Sequence, residues 1–155
     1  MRFIEKYEFL SNFFPCTVSV IIEDEVVIFR NAEAAFQAQK NSKLAKKFML
    51  LTGYEAKKLG KQLPLDMPLE EWNTKQRYFA MAKALYSKFS DPQLFTKLKN
   101  ITEEIVEDNY WNDTFWGRCK GKGKNILGRM LMCIRDSNND FDTLFKFCID
   151  VSNDL

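Results

Sequence analysis

A chain of 155 residues, 46% hydrophobic and 28% charged, has the size and balance of one ordinary folded domain with a real core. It contains no histidine, which excludes Ser-His-Asp and Cys-His arrangements and every His-ligated metal site; catalysis is left to carboxylates, lysine, tyrosine or backbone dipoles. A net charge of +2 is too small to argue for duplex nucleic acid by itself.

The N-terminal stretch carries no apolar segment of a secretory signal, and no apolar run approaches the ~18 residues that span a bilayer. Cys16, Cys119, Cys133 and Cys148 include no C-x-x-C pair, so neither a zinc site nor a disulfide scaffold is expected. Reduced thiols, no membrane and a cytoplasmic location follow as expectations. Cys119 lies in a Lys-rich loop, where it is either a reactive thiol or a bystander; nothing nearby supplies a base.

Tyr7 to Pro15 is too rich in aromatics and turn formers for a regular element. Its Ser11, Asn12 and Phe13 either wall a ligand site or close one end of the core. Cys16–Ile22 and Val26–Phe29 are β-branched and aromatic, with polar Glu23-Asp24-Glu25 between them, which reads as a hairpin. It delivers the chain to Asn31-Ala-Glu-Ala-Ala-Phe-Gln-Ala-Gln-Lys40, the opening of a helix expected to reach Leu51. Asn31 suits the N-cap, the alanines favour helix, and Glu33 falls where the macrodipole favours an acid. Glu33, Gln37 and Lys40 share one face beside Phe36. Glu33 and Lys40 are two turns apart, roughly 10 Å of rise, suited to gripping one ligand between them. An ordinary cap, a dipole-matched acid and a solvated lysine would read the same way.

Thr52-Gly-Tyr-Glu55 fits a capping box and starts a short basic helix ending near Gly60. Pro64 and Pro68 bracket a linker. The next helix, from about Leu69 to Phe89, repeats Trp72, Gln76, Phe79, Ala82, Tyr86 and Phe89 at three and four, a core stripe. Trp72 stands at its head, where a large ring either packs or faces a cleft. Asp91-Pro92 opens a further short helix. Thr102 to Glu107 reads as an extended piece or as a last turn. Asn125 is expected to cap a helix bearing Ile126, Leu127, Met130, Leu131 and Ile134, and Asp140 to cap the last one. The fold class is therefore α+β: a mainly helical single domain, residues 1–155, with a small N-terminal hairpin.

Residues 110–129 combine Tyr110, Trp111, Phe115 and Trp116 with the acid Asp113 and a Gly-Lys-Gly-Lys-Asn loop leading into a helix. Aromatic faces stack on flat bases. Glycines admit backbone N–H groups to an anion, and a helix N-terminus adds positive potential for phosphate. A carboxylate stabilises charge at a reacting carbon. Together they point to a nucleotide or ribosyl-phosphate ligand, although a bare Gly-x-Gly also makes ordinary turns.

Ala32-Glu-Ala-Ala-Phe-Gln-Ala-Gln-Lys40 resembles the E-x-x-F-Q-A-Q-K segment of the NADAR, or YbiA-like, family. In the same order Phe9-Leu-Ser-Asn-Phe13, Trp72, Asn112-Asp-Thr-Phe-Trp-Gly117, Gly121-Lys-Gly-Lys-Asn-Ile-Leu-Gly128 and Leu131-Met132 match it too, so the resemblance covers nearly the whole chain. It implies a YbiA-like N-glycosidase fold. The substrates it implies are ribosylamino-pyrimidine phosphates of early riboflavin synthesis, or ADP-ribosyl-guanine, the latter extending to ADP-ribosylated DNA or RNA. Carried over by position, Glu33, Trp72, Asp113 and Trp116 are tied to activity, with Lys40 a candidate for covalent participation. The chain departs from the family pattern at Ala34-Ala35 and at Arg118-Cys119-Lys120, which bears on substrate choice.

The expected catalytic set is then Glu33, Asp113 and Lys40, acting through an oxocarbenium-like route or a lysine Schiff base. The expected substrate-binding set is Ser11, Asn12, Phe13, Phe36, Gln37, Trp72, Trp116, Gly117, Lys122, Gly123, Lys124 and Asn125. No metal or cofactor is expected, and the protein is expected to act as a monomer on a small ribosyl-phosphate or ADP-ribosyl substrate. The rival reading is a module that binds ADP-ribose or a nucleotide without cleaving it; such a module needs rings and a phosphate loop but not two acids and an amine.

Overall fold

The computed structural model describes residues 1–154. They form a mainly helical α+β protein with a small antiparallel sheet. The chain divides into two units, one built from Asn12–Lys88 with the C-terminal segment from Cys148, the other from Met1–Ser11 and Phe89–Phe147.

In the first unit β1 (Val18–Ile22) and β2 (Glu25–Phe29) pair antiparallel, with Ile22 opposite Glu25. The turn is the two residues Glu23 and Asp24, both left-handed at φ 51° and 63°. This is the conformation whose twist matches a hairpin; Asp24 is one of the residues that adopt it readily, whereas Glu23 is not. Alternation sends Val18, Val20, Ile22, Val27 and Phe29 inward, onto the alanine face of α1 (Ala32–Ala38). Each small alanine lets this helix sit close to its neighbours, and every residue of α1 is buried.

The first helix is shorter than the sequence suggests. It stops at Ala38 and is followed by a 3-10 segment, Ser42–Phe48. Polar side chains explain the break. Gln39 Nε2 donates to the carbonyls of Ala35 (3.0 Å) and Ala80 (2.9 Å). Asn41 is extended, and Asp66 accepts from the Ser42 amide and hydroxyl while its own N–H donates to Lys40 O.

Next, α2 (Gly53–Gln62) begins with the expected Thr52–Glu55 capping box but runs past Gly60. The following helix starts as α3 (Leu69–Glu71), widens into a π turn over Trp72–Gln76, and continues as α4 (Arg77–Lys88). The Arg77 N–H reaches back to Trp72 O, five residues away. A single apolar stripe does not describe α4: Tyr78, Phe79, Ala80, Met81, Ala82, Ala84 and Leu85 are all buried.

In the second unit a 3-10 segment, Glu5–Leu10, precedes α5 (Pro92–Lys99), which Asp91 caps through the amides of Gln93 and Leu94. Residues 101–107 are irregular. Two short parallel strands, β3 (Asp108–Asn109) and β4 (Arg118–Cys119), close the loop of residues 108–119. Then come α6 (Ile126–Asp136), which packs against α5, and α7 (Phe141–Ser152), whose residues to Phe147 belong to this unit. Asp140 Oδ2 accepts from the Thr143 amide, as expected of a cap. Among the described residues no helix is long and apolar enough to cross a membrane.

Candidate functional site

The Asn31-to-Lys40 stretch builds a polar cluster inside an otherwise apolar setting. Asn31 is the N-cap: its Oδ1 accepts from Ala34 N at 2.7 Å, and its Nδ2 donates to Leu51 O at 2.9 Å. That double hold fixes the first turn, where Glu33 sits with 7% of its surface exposed. The Glu33 amide donates to Asn12 O (2.9 Å), which ties the segment before the hairpin to the same turn. One turn later, Gln37 Nε2 donates to Glu33 Oε1 at 2.9 Å, as the shared helical face predicts.

Lys40 lies just beyond the helix end. Its Nζ is 5.9 Å from the centre of the Phe36 ring and 5.8 Å from that of Trp72; the two rings are 5.4 Å apart and tilted by 49°. The π turn begins at Trp72, whose indole is buried. Burial among the rings pulls the Lys40 pKa below the ordinary lysine value; the Glu33 charge opposes this, and the Lys61 charge adds to it. A half-buried amine with a lowered proton affinity beside a buried carboxylate can act as a nucleophile and still exchange protons.

Of the expected wall, Asn12 and Phe13 belong to this unit. The Asn12 side chain meets Met81 Sδ at 3.5 Å through Nδ2, while its buried Oδ1 has no hydrogen-bond partner. Phe13 packs so closely on α2 that a Cβ at Gly53 would lie 2.6 Å from its Cγ. Ser11 belongs to the other unit and ends the first 3-10 segment, its N–H on Glu8 O. Glu33, Phe36, Gln37, Lys40 and Trp72 are thus brought together.

Asp113 and its neighbours form a separate constellation in the second unit. Asp113 Oδ1 accepts from the amides of Phe115 (3.0 Å) and Trp116 (2.8 Å). Asn109, whose side chain exchanges two bonds with the Asp113 backbone, holds the turn from below. Trp116 is partly buried, edge-on to Phe115 at 4.7 Å. Gly117 is required by closeness: a Cβ there would collide with Glu107 O and Oε2.

The expected phosphate cradle needs correction in its backbone part. The N–H groups of Lys124, Asn125, Ile126 and Leu127 already donate to the carbonyls of Thr114, Gly117, Phe115 and Trp116. They clamp the tryptophan loop and do not offer an open anion nest. Asn125 is not a side-chain cap either. It is fully buried and left-handed (φ 52°), with Nδ2 on Ile105 O and Oδ1 on Glu107 N. At Gly123 (φ 142°) a Cβ would strike Gly117 O, so this glycine serves the same clamp. What the loop does present to solvent are the exposed Lys122 and Lys124 side chains, the latter's Nζ 5.9 Å from the Phe115 ring centre. Cys119 is buried, its Sγ 3.6 Å from Asn112 Oδ1.

Three participants escape a reading of the residues alone: Gly60, Lys61 and the π turn. Gly60 reads as a helix stop. The structure puts it inside the last turn of α2 instead, against Gln37. Among the described residues no group of His, Cys, Asp and Glu is arranged to hold a metal ion.

The NADAR domain model matches residues 2–137 of the chain. The fold is similar to the NMR structure of the E. coli protein YbiA, with a TM-score of 0.70 and 28% identity over 89% of this chain and 83% of that one. The chain is also 27% identical over 139 residues to the riboflavin biosynthesis protein VVA0006 of Vibrio vulnificus (strain YJ016). That match takes in 85% of this chain but 36% of the relative, so the chain spans about a third of the curated relative's length. The ordered motifs, the fold and the family match agree: the chain belongs to the NADAR domain family.

Proposed function

We propose that this protein is an N-glycosidase that hydrolyses the bond between ribose C1 and an exocyclic amine of a nucleobase-like ring. One observation carries the reading: a lysine amine of lowered basicity, flanked by Phe36 and Trp72, stands in the same buried cluster as the Glu33 carboxylate. Family membership and the riboflavin-named relative support an enzyme acting on a ribosylamino compound. The preferred substrate is accordingly a ribosylamino-pyrimidine phosphate.

The proposed chemistry follows from these groups. A ribosylamine opens when its ring oxygen takes a proton and the C1–O bond breaks, leaving an imine between C1 and the exocyclic nitrogen. The neutral Lys40 amine adds to C1. Glu33 relays a proton to the exocyclic nitrogen, the C1–N bond breaks, and the base leaves as a free amine. Water then adds to the Lys40 Schiff base and releases ribose as its aldehyde, returning the lysine. The net reaction consumes one water and uses no cofactor. Trp72, beside Phe36 and Lys40, supplies a face for the ring.

The test is turnover. The protein is incubated with a ribosylamino-pyrimidine phosphate and, in parallel, with ADP-ribosylated guanine in DNA or RNA, and release of the free amine is followed. Release from the first, lost in Glu33→Gln with the fold intact, supports the reading. Release from neither substrate, with both bound unchanged, would leave a binding module.

A further inference from the structure

Gly60 occupies a helical position that gives no conformational reason for glycine. It lies within α2, its φ is not in the left-handed region, and alanine is the better helix former. The reason is a contact. A methyl group at Gly60 would collide with Gln37 Oε1 and lie 2.7 Å from its Cδ and 3.3 Å from its Cγ. On its other side the same amide donates from Nε2 to Glu33 Oε1 at 2.9 Å. The Gln37 oxygen is buried and makes no hydrogen bond. The side chain is therefore held by packing at one end and by the carboxylate at the other.

We infer that Gly60 is a positioning residue: the missing side chain makes the slot in which Gln37 lies, and Gln37 in turn holds the Glu33 carboxylate in place. The inference rests on Glu33 being the acid of the proposed reaction, but the contact it describes is testable without turnover. The atoms that a methyl would strike belong to the end of a flexible side chain, with no backbone among them. Gly60→Ala should therefore fold, with Gln37 swung aside and its bond to Glu33 lost.

An amide donating to a carboxylate favours the charged form, so losing it raises the Glu33 pKa. The experiment is a carboxyl-carbon NMR titration of Glu33 in the parent, Gly60→Ala, Gln37→Ala and the double variant. The expected result is a rise of about half a pH unit, roughly threefold in proton affinity, in Gly60→Ala. Gln37→Ala should shift Glu33 similarly, and the double variant should add nothing further. In turnover, Gly60→Ala should lower kcat roughly tenfold with KM nearly unchanged. A Glu33 titration unmoved by Gly60→Ala, or shifts that add in the double variant, would overturn the inference. So would failure of Gly60→Ala to fold, because the collision would then not be relieved by Gln37. Absence of turnover in the parent, with the titration shifts present, would instead fall on the proposed function.

Discussion

Lys88 gives a stability test whose sign is fixed by its surroundings. It ends α4 wholly buried, its Nζ 5.7 Å from the centre of the Phe14 ring. Loss of water pulls its pKa from 10.5 down to about 8, against a smaller opposing effect of Cys16. Below pH 8 both the folded and the unfolded chain carry the proton, and the cost of burying the charge is felt in full. Between about 8 and 10.5 the unfolded chain keeps a proton that the folded one has released, so stability gains with rising pH. Above that window both forms are neutral and the gain stops.

A difference of about 2.5 pH units corresponds to about 3 kcal/mol. Lys88→Met keeps the unbranched stem and removes the titration. Urea unfolding of parent and variant across the window isolates the effect from other groups that titrate there. The free-energy difference between the two should move by about 3 kcal/mol in the parent's favour from neutral pH to the top of the window. A difference that stays flat would refute the reasoning, because Lys88 would then bind its proton equally well in both states.

Three further outcomes are expected. Asn31→Ala removes the cap of α1 and strands the Leu51 carbonyl, costing about 2 kcal/mol in chemical denaturation, whereas Asn31→Asp keeps the acceptor for Ala34 and should lose less. Lys61→Gln removes a charge that lowers the Lys40 pKa, so the pH profile of Lys40 acylation, followed by peptide mass spectrometry, should move upward; an unmoved profile would contradict the electrostatic account. Asp113→Asn retains an oxygen for the Phe115 and Trp116 amides, so melting should change by only about 2 °C, whereas Asp113→Ala leaves both amides without their acceptor and should melt several degrees lower.

Much of this was legible in the residues because local chemistry carried it. Asn31, Thr52–Glu55 and Asp91-Pro92 announce helix starts through side chains that reach their own first turns, and the structure realises all three. The hairpin shows in its β-branched alternation. The Glu33–Gln37 contact follows from a four-residue spacing. What escaped depends on partners distant in sequence. The first helix ends early because Asp66, 24 residues beyond Ser42, captures the turn. Gly60 reads as a stop until Gln37 is seen against it. Asn125 has the chemistry of a cap, yet the segment from Ile105 to Glu107 takes both ends of its amide. The glycine-rich loop suggests an anion nest because its sequence cannot show that its amides already face the carbonyls of the tryptophan loop. The π turn at Trp72 left no mark in composition or periodicity.

The most direct measurement of the central claim is reductive trapping. The protein is treated with borohydride during turnover of the ribosylamino-pyrimidine phosphate, digested, and searched by mass spectrometry for a ribose-phosphate adduct. The account predicts a substrate-dependent adduct on Lys40 that vanishes in Lys40→Arg. Full turnover with no adduct, or an adduct confined to other lysines, would contradict it.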